Sequence, residues 1–193
     1  YEALLDADVE EWQALLEAVV VPETWFFRDR KPFLFLGEWA AREWRGRDAS
    51  APVHVLSLPC ASGEEAWSIA IVLAAAGLDA AAIRIEALDL SRRALADARA
   101  ARYPRRALRG HAPEPAWAAR LHSLPDGGFE VAPELRGCVE FAPGNLVDAP
   151  RLLAGRSFDC IFSRNLLIYC DAAARAAALA AFAAALRPGG LLF

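Results

Sequence analysis

Three acidic residues stand where a strand-and-helix chain would hold a ligand. Glu64 and Glu65 follow a loop with a single glycine, Pro59-Cys60-Ala61-Ser62-Gly63, and Asp89 closes the apolar run Ile83-Arg84-Ile85-Glu86-Ala87-Leu88. A carboxylate accepts two hydrogen bonds at once, so Asp89 suits a pair of ribose hydroxyls. A pyrophosphate cradle wants backbone N–H groups and no anion. A loop that leads into two acids instead fits a ligand with a cationic ammonium or sulfonium group. Asn145, in Pro143-Gly144-Asn145-Leu146, can read an adenine edge, because an amide both donates and accepts. Adenosine with a positively charged tail describes S-adenosylmethionine (SAM) better than NAD. Each residue also has a purely structural reading. Glu64 and Glu65 suit the first turn of a helix, Asp89 a helix cap, and Asn145 a turn.

The elements that must position these groups are legible from periodicity. Leu5, Val9, Trp12, Leu16 and Val19 recur at helical spacing, and Val19-Val20-Val21 with Pro22 ends that helix. A second helix is expected from Pro32 to Trp44, with proline suited to its first turn. Val53 to Leu58 reads as a buried strand, Glu64 to Ala76 as a helix stopped by Gly77, and Ile83 to Leu88 as a second strand. Ser91 caps a helix to about Arg102. Residues 103–134 read as irregular, with a short helix near Pro115 to His122, a turn at Asp126-Gly127-Gly128 and a short strand at Phe129-Glu130-Val131. Val139 to Ala142 and Phe158 to Ser163 are further strands. Asp171 caps an alanine-rich helix to Leu186, Arg187-Pro188-Gly189-Gly190 is a turn, and Leu191 opens a last strand. Alternating strands and helices imply an α/β fold, a mostly parallel sheet with helices on both faces, here preceded by a short helical element. In such sheets ligands bind beyond the carboxyl ends of the strands. Arg164-Asn165-Leu166, Asp89 and the two loops above fall at those ends.

Composition narrows the classes. A length of 193 residues fits one substantial domain. The net charge of −4 argues against general nucleic-acid binding. Yet Arg92, Arg93, Arg99, Arg102, Arg105, Arg106 and Arg109 crowd one segment. They form either a solvated helix face or a basic patch for an acidic protein partner. Cys60, Cys138, Cys160 and Cys170 lack CxxC spacing and read as reduced, and the histidines are scattered, so no metal site is expected. No apolar run reaches the roughly 18 uncharged residues of a bilayer span. No signal-peptide pattern opens the chain, so a cytoplasmic location without membrane insertion is expected. Nothing sets an oligomeric state.

Six segments in order resemble the CheR-type chemoreceptor glutamate methyltransferases. Thr24-Trp25-Phe26-Phe27-Arg28-Asp29 resembles T-x-F-F-R-D, and Ser62-Gly63-Glu64-Glu65-Ala66-Trp67-Ser68-Ile69-Ala70 resembles S-x-G-E-E-x-Y-S-I-A. Leu88-Asp89-Leu90-Ser91 matches the family's strand end, and Phe141-Ala142-Pro143-Gly144-Asn145-Leu146 resembles F-x-x-x-N-L. Ser163-Arg164-Asn165-Leu166-Leu167-Ile168-Tyr169-Cys170 is similar to C-R-N-V-L-I-Y-F, and Arg187-Pro188-Gly189-Gly190 to L-x-P-G-G. Pro-Glu-Thr at 22–24 resembles the WspC-like branch, whose members carry tetratricopeptide repeats after the catalytic domain.

The resemblance implies a Rossmann-like SAM-dependent methyltransferase that esterifies receptor glutamates in chemosensory adaptation and releases S-adenosylhomocysteine. It implies that Thr24, Arg28, Glu64, Asp89, Asn145, Leu146, Arg164 and Asn165 line the cofactor site. It places Arg28 and Tyr169 near the transferred methyl group. Structural alternatives remain: an ion pair with a neighbouring acid such as Asp29 for Arg28, and core packing for Tyr169. It implies a helical element over 1–44, a SAM-binding domain over 45–193, and an insertion for receptor docking within 103–134. It also implies a longer helical segment before residue 1 and further strands after Phe193. The partner would be the cytoplasmic helices of a receptor. Two residues depart from the pattern: Pro22 stands where the family often has Asn, and Trp67 where it has Tyr. A degenerate SAM-binding sensor and a methyltransferase for another acceptor are the competing readings, with a dinucleotide oxidoreductase behind them.

Overall fold

The computed structural model describes residues 8–19, 23–110 and 112–193. Leu5, the Val20-Val21-Pro22 stretch and His111 lie outside the described residues. The elements run α1 (Val9–Val19), α2 (Lys31–Glu43), β1 (Val53–Ser57), α3 (Glu64–Ala75), β2 (Ile83–Asp89), α4 (Arg92–Ala100), β3 (Arg102–Tyr103), α5 (Pro115–Ala118), β4 (Leu121–Ser123), β5 (Phe129–Val131), β6 (Val139–Pro143), α6 (Ala149–Leu152), β7 (Phe158–Phe162), α7 (Ala172–Ala185) and β8 (Leu186–Leu192).

Five strands form one parallel sheet in the order β6-β2-β1-β7-β8. The chain moves outward from β1 through β2 to β6, then returns to the other side of β1 as β7. The carboxyl ends of β1 and β7 therefore diverge into loops that run opposite ways, which opens a crevice between them. Successive side chains alternate between faces. Val53 and Val55 of β1 join the core under α3, while Leu56 joins the core under α6 and α7.

Helix α3 is apolar nearly all round, from Ala66 and Trp67 to Leu73 and Ala74, and every one of these is buried. That pattern suits a helix covered on more than one side. It touches α2 as well as β2 and β6 of the sheet. The Trp67 indole N–H donates to the Ala98 carbonyl at 3.0 Å, which joins α3 to α4.

The segment between α4 and β6 is more ordered than its sequence suggests. It holds a second, antiparallel sheet, β3-β5-β4. The helix expected to reach His122 stops at Ala118, and Leu121–Ser123 extends as β4. The gain is pairing: β4 meets β5 across a hairpin closed at Gly127, with φ of 82°. The turn expected at Arg187–Gly190 lies within β8 as an interruption of the ladder. Pairing to β7 jumps from Leu186 to Leu191, and Gly189 takes φ of 77°.

Gly63 opens α3 with φ of 90°, and a Cβ there would lie 2.7 Å from Ala98 Cβ. Both demands favour glycine. Gly63→Ala is expected to cost roughly 2–5 kcal/mol, combining overpacking with a left-handed backbone. Gly77, at φ of 96° but facing open space, tests the backbone part alone. Gly77→Ala is expected to cost roughly 1–2 kcal/mol. Urea unfolding of both variants checks this, and equal losses would contradict the close-approach argument.

Candidate functional site

A cavity of about 590 Å³ opens at the carboxyl ends of β1, β2 and β7. Its walls come from Glu23, Thr24 and Arg28 before α2, from Pro59–Ala61 after β1, and from Asp89 and Leu90 at the end of β2. Arg164–Leu166, Ile168 and Tyr169 close it after β7, with Val19 and Glu65 completing the lining.

Asp89 is 5% exposed, yet both carboxylate oxygens have partners. Oδ2 accepts the Ala61 N–H at 2.7 Å and Oδ1 the Ser91 N–H at 2.9 Å. Burial raises its pKa, and those N–H groups only partly offset the effect. Ser91, not Asp89, caps α4, accepting from the Ala94 N–H. A carboxylate has about four acceptor positions, so roughly two remain for a ligand.

Glu65 sits on the first turn of α3 with its charge enclosed. Ser57 Oγ donates to Oε1 at 2.9 Å, and Arg164 Nη1 approaches Oε2 at 3.4 Å. Burial raises the Glu65 pKa against the pull of Arg164, Ser57 and Arg28. Arg164 continues the chain of charges, donating through Nη2 to Asp29 Oδ2 at 2.5 Å. The acid expected to tie up Arg28 is thus taken by Arg164.

Arg28 is held differently. Its Nη1 donates to the Glu23 carbonyl at 2.6 Å, and its guanidinium lies 4.3 Å from the centre of the Trp25 ring. Its Nε is buried and has no hydrogen-bond partner among the described residues. An unpaired donor of that kind is costly unless something else occupies it. The loop that carries it is strained, with positive φ at Phe27 (55°), Asp29 (61°) and Arg30 (36°). Ala61 (47°) and Asn165 (62°), both on the cavity wall, share this conformation. Such backbone persists only where surroundings impose it. Here the Phe27 N–H donates to Ser68 Oγ and the Phe26 N–H to the Ala107 carbonyl, each at 2.9 Å. Phe27 stacks on Trp117, and Arg30 pairs with Glu114.

The predicted site residues divide. Thr24, Arg28, Asp89, Arg164, Asn165 and Tyr169 line one cavity. Tyr169 is 80% exposed at its mouth, which removes the core-packing alternative. Glu64, Asn145 and Leu146 are not in the lining. Glu64 is buried and accepts the Ser62 hydroxyl at 2.8 Å. Asn145 accepts the Val147 N–H at 3.2 Å, capping a short 3-10 turn, and Leu146 is buried in the core under α6 and α7. Glu65 was named in sequence only beside Glu64. Neighbours on a helix point about 100° apart, so one of the pair had to face away, and nothing local says which. Cys60 also lines the cavity, but burial and the nearby Asp89 and Glu65 push its thiol up, so it stays protonated.

Comparison with known proteins shows the family to which the chain belongs. The family described as CheR methyltransferase, SAM binding domain, matches residues 22–193. A probable biofilm formation methyltransferase WspC from Pseudomonas aeruginosa is 39% identical over 194 residues, covering 100% of this chain and 45% of that protein. A chemotaxis protein methyltransferase from Klebsiella aerogenes is 36% identical over 198 residues, covering 100% of this chain and 66% of that protein. One from Escherichia coli is 33% identical over 186 residues, covering 95% and 63%. The chain thus spans about half the length of the WspC relatives.

Removing Arg164 would strand Glu65. Arg164→Ala is expected to cost roughly 3 kcal/mol at neutral pH, the scale for breaking a buried pair from one side. The Glu65 pKa, already above its usual 4.5, should rise further. A group raised in this way supports folding fully below its unfolded value and loses that support as pH rises through the folded one. The cost of Arg164→Ala should therefore be largest at about pH 8 and shrink toward about pH 5. Urea unfolding across that range measures it, and a cost independent of pH would contradict the pairing.

Proposed function

Because this chain belongs to the CheR methyltransferase family and carries its SAM-binding domain, we propose that the protein moves the methyl group of SAM onto glutamate side chains of a chemoreceptor. The observation that carries this reading is Arg28. Arg28 lines the cavity, its Nη1 is occupied by a neutral carbonyl, it makes no ion pair with a carboxylate among the described residues, and its Nε is buried and unpaired among them. The free edge, Nε with Nη2, is the planar fork that takes two carboxylate oxygens side by side.

The residues present fit SAM. The volume of about 590 Å³ lies in the range of small-molecule sites. Asp89 retains acceptor positions for ribose hydroxyls, and Glu65 and Asp89 give the wall negative charge for a cationic ligand. Thr24, Arg164 and Asn165 complete the contacts. Glu64, Asn145 and Leu146 would act by shaping the loops behind the lining. The Gly144 N–H, for example, donates to the Asp89 carbonyl at 3.0 Å. Bound there, the cofactor supplies an electrophilic methyl carbon on a sulfonium.

The acceptor glutamate is already an anion at neutral pH, with an ordinary pKa of about 4.3. No base is needed, and among the described residues no histidine lines the cavity. Arg28 would hold the two oxygens so that one faces the methyl carbon, and enclosure would remove water from both charges. Tyr169, at the mouth, would guide the entering side chain. On this reading residues 45–193 form the transferase domain behind the helical element at 1–44, and the insertion within 103–134 meets the receptor. Arg105 and Arg106 within it, and Arg102 just before it, are exposed and have no ion-pair partner among the described residues. They suit the acidic cytoplasmic helices of a receptor, and the protein would work in the cytoplasm.

Arg28→Lys keeps the charge but removes the fork. We expect kcat for methylation of a receptor cytoplasmic fragment to fall about 100-fold, with S-adenosylhomocysteine affinity little changed. Full turnover by this variant would remove the orienting role. Steering by the exposed arginines predicts that kcat/KM for the receptor falls as salt is raised through the physiological range. A salt-independent value would contradict it.

A further inference from the structure

Arg109 lies outside the cavity lining, in the arginine-rich segment, yet it grips the same two residues that hold Arg28. Its guanidinium lies 4.4 Å from the centre of the Trp25 ring, against 4.3 Å for Arg28. Its Nη2 pairs with Glu23 Oε1 at 2.8 Å, while Arg28 Nη1 takes the backbone carbonyl of that same Glu23 at 2.6 Å. Arg109 is itself set in a left-handed conformation, φ of 49°, at the end of the short 3-10 turn Arg105–Leu108. Two residues earlier, the Ala107 carbonyl accepts the Phe26 N–H. The segment is thus joined to the 23–28 loop through backbone, ion pair and ring.

We propose that Arg109 is a positioning residue for Arg28, the two guanidiniums and Trp25 forming a clamp that fixes which edge of Arg28 faces the cavity. The proposal rests on the reading that Arg28 orients the acceptor carboxylate. The indole face sets the plane of the Arg28 guanidinium, since a cation is drawn to the centre of the ring. The Glu23 carbonyl sets its rotation within that plane. Two cations on one ring repel each other, and the Glu23 carboxylate offsets this by pairing with Arg109. Arg28 thereby keeps its own charge for a ligand. Without Arg109, the Glu23 carboxylate is released next to Arg28 and can take the fork that the acceptor needs. The role is specific to this chain's Trp25, which fills the variable position of the T-x-F-F-R-D segment.

A double-mutant cycle on the intact protein tests this, with labelled SAM and a receptor cytoplasmic fragment as acceptor. Arg109→Ala should lower kcat about ten-fold, the scale of a lost cation–π contact and ion pair, with the KM for SAM within about two-fold. Arg109→Lys should recover most of the rate. In an Arg28→Ala background, Arg109→Ala should add nothing. An equal cost in both backgrounds, or full turnover by Arg109→Ala, overturns the clamp and leaves the reading of Arg28 standing. Full turnover by Arg28→Ala overturns that reading, and the clamp with it. Should Arg28→Ala be too slow to measure, the Arg28 Nε–H resonance decides, identified by its loss in Arg28→Lys. The clamp predicts a ring-current shift that collapses in Arg109→Ala, and an unchanged resonance overturns it.

Discussion

A carboxylate withdrawn from water must be given hydrogen bonds or an opposite charge, and this molecule withdraws Glu64, Glu65 and Asp89 near one edge of its sheet. Much of the local architecture answers that demand. The loop after β1 turns through a left-handed Ala61 so that its N–H reaches Asp89. Ser62 turns its hydroxyl to Glu64, and Ser57, at the end of β1, turns its own to Glu65. Arg164, at the end of β7, crosses the crevice to Glu65 and Asp29. The crevice between β1 and β7 is therefore bridged by charge, and both members of that bridge, Glu65 and Arg164, line the cavity.

The same reasoning explains why a segment remote in sequence matters to the cavity. The loop from Phe26 to Arg30 adopts backbone angles that L-residues avoid. Within the loop the Arg30 N–H donates to the Phe27 carbonyl at 2.9 Å, and further support comes from outside it. Phe26 meets the edges of Tyr103 and Phe129, Phe27 stacks on Trp117, and Ala107 accepts the Phe26 N–H. All four partners come from the segment between α4 and β6. That segment and the position of Arg28 are thus mechanically joined, because movement of one disturbs the packing that strains the other.

The sheet was readable in the sequence because its strands are short apolar runs bounded by turn residues and separated by helical periodicity. Val53–Ser57, Ile83–Asp89 and Phe129–Val131 fall within a residue of expectation. Leu121–Ser123 did not, because its strand character comes from pairing with β5 and not from its own residue types, Leu-His-Ser. At the site, Asp89 was legible as an acid closing a strand. Glu65 was not separable from Glu64, since helix rotation decides which acid faces the cavity. The clamp through Arg109 had no sequence signal beyond a crowd of arginines, because it joins residues 84 positions apart through a ring. Resemblance to a family supplied roles for Arg28 and Tyr169 that composition and spacing alone could not.

Calorimetric titration with S-adenosylhomocysteine, in the wild-type protein and in Asp89→Ala, tests the central claim most directly, with circular dichroism to establish that both are folded. Saturable one-to-one binding is predicted for the wild type. Asp89→Ala should weaken it roughly 100-fold, the scale of two hydrogen bonds to a charged acceptor. A folded wild-type protein that ignores S-adenosylhomocysteine, or an Asp89→Ala variant that binds it as tightly as wild type, would contradict the account.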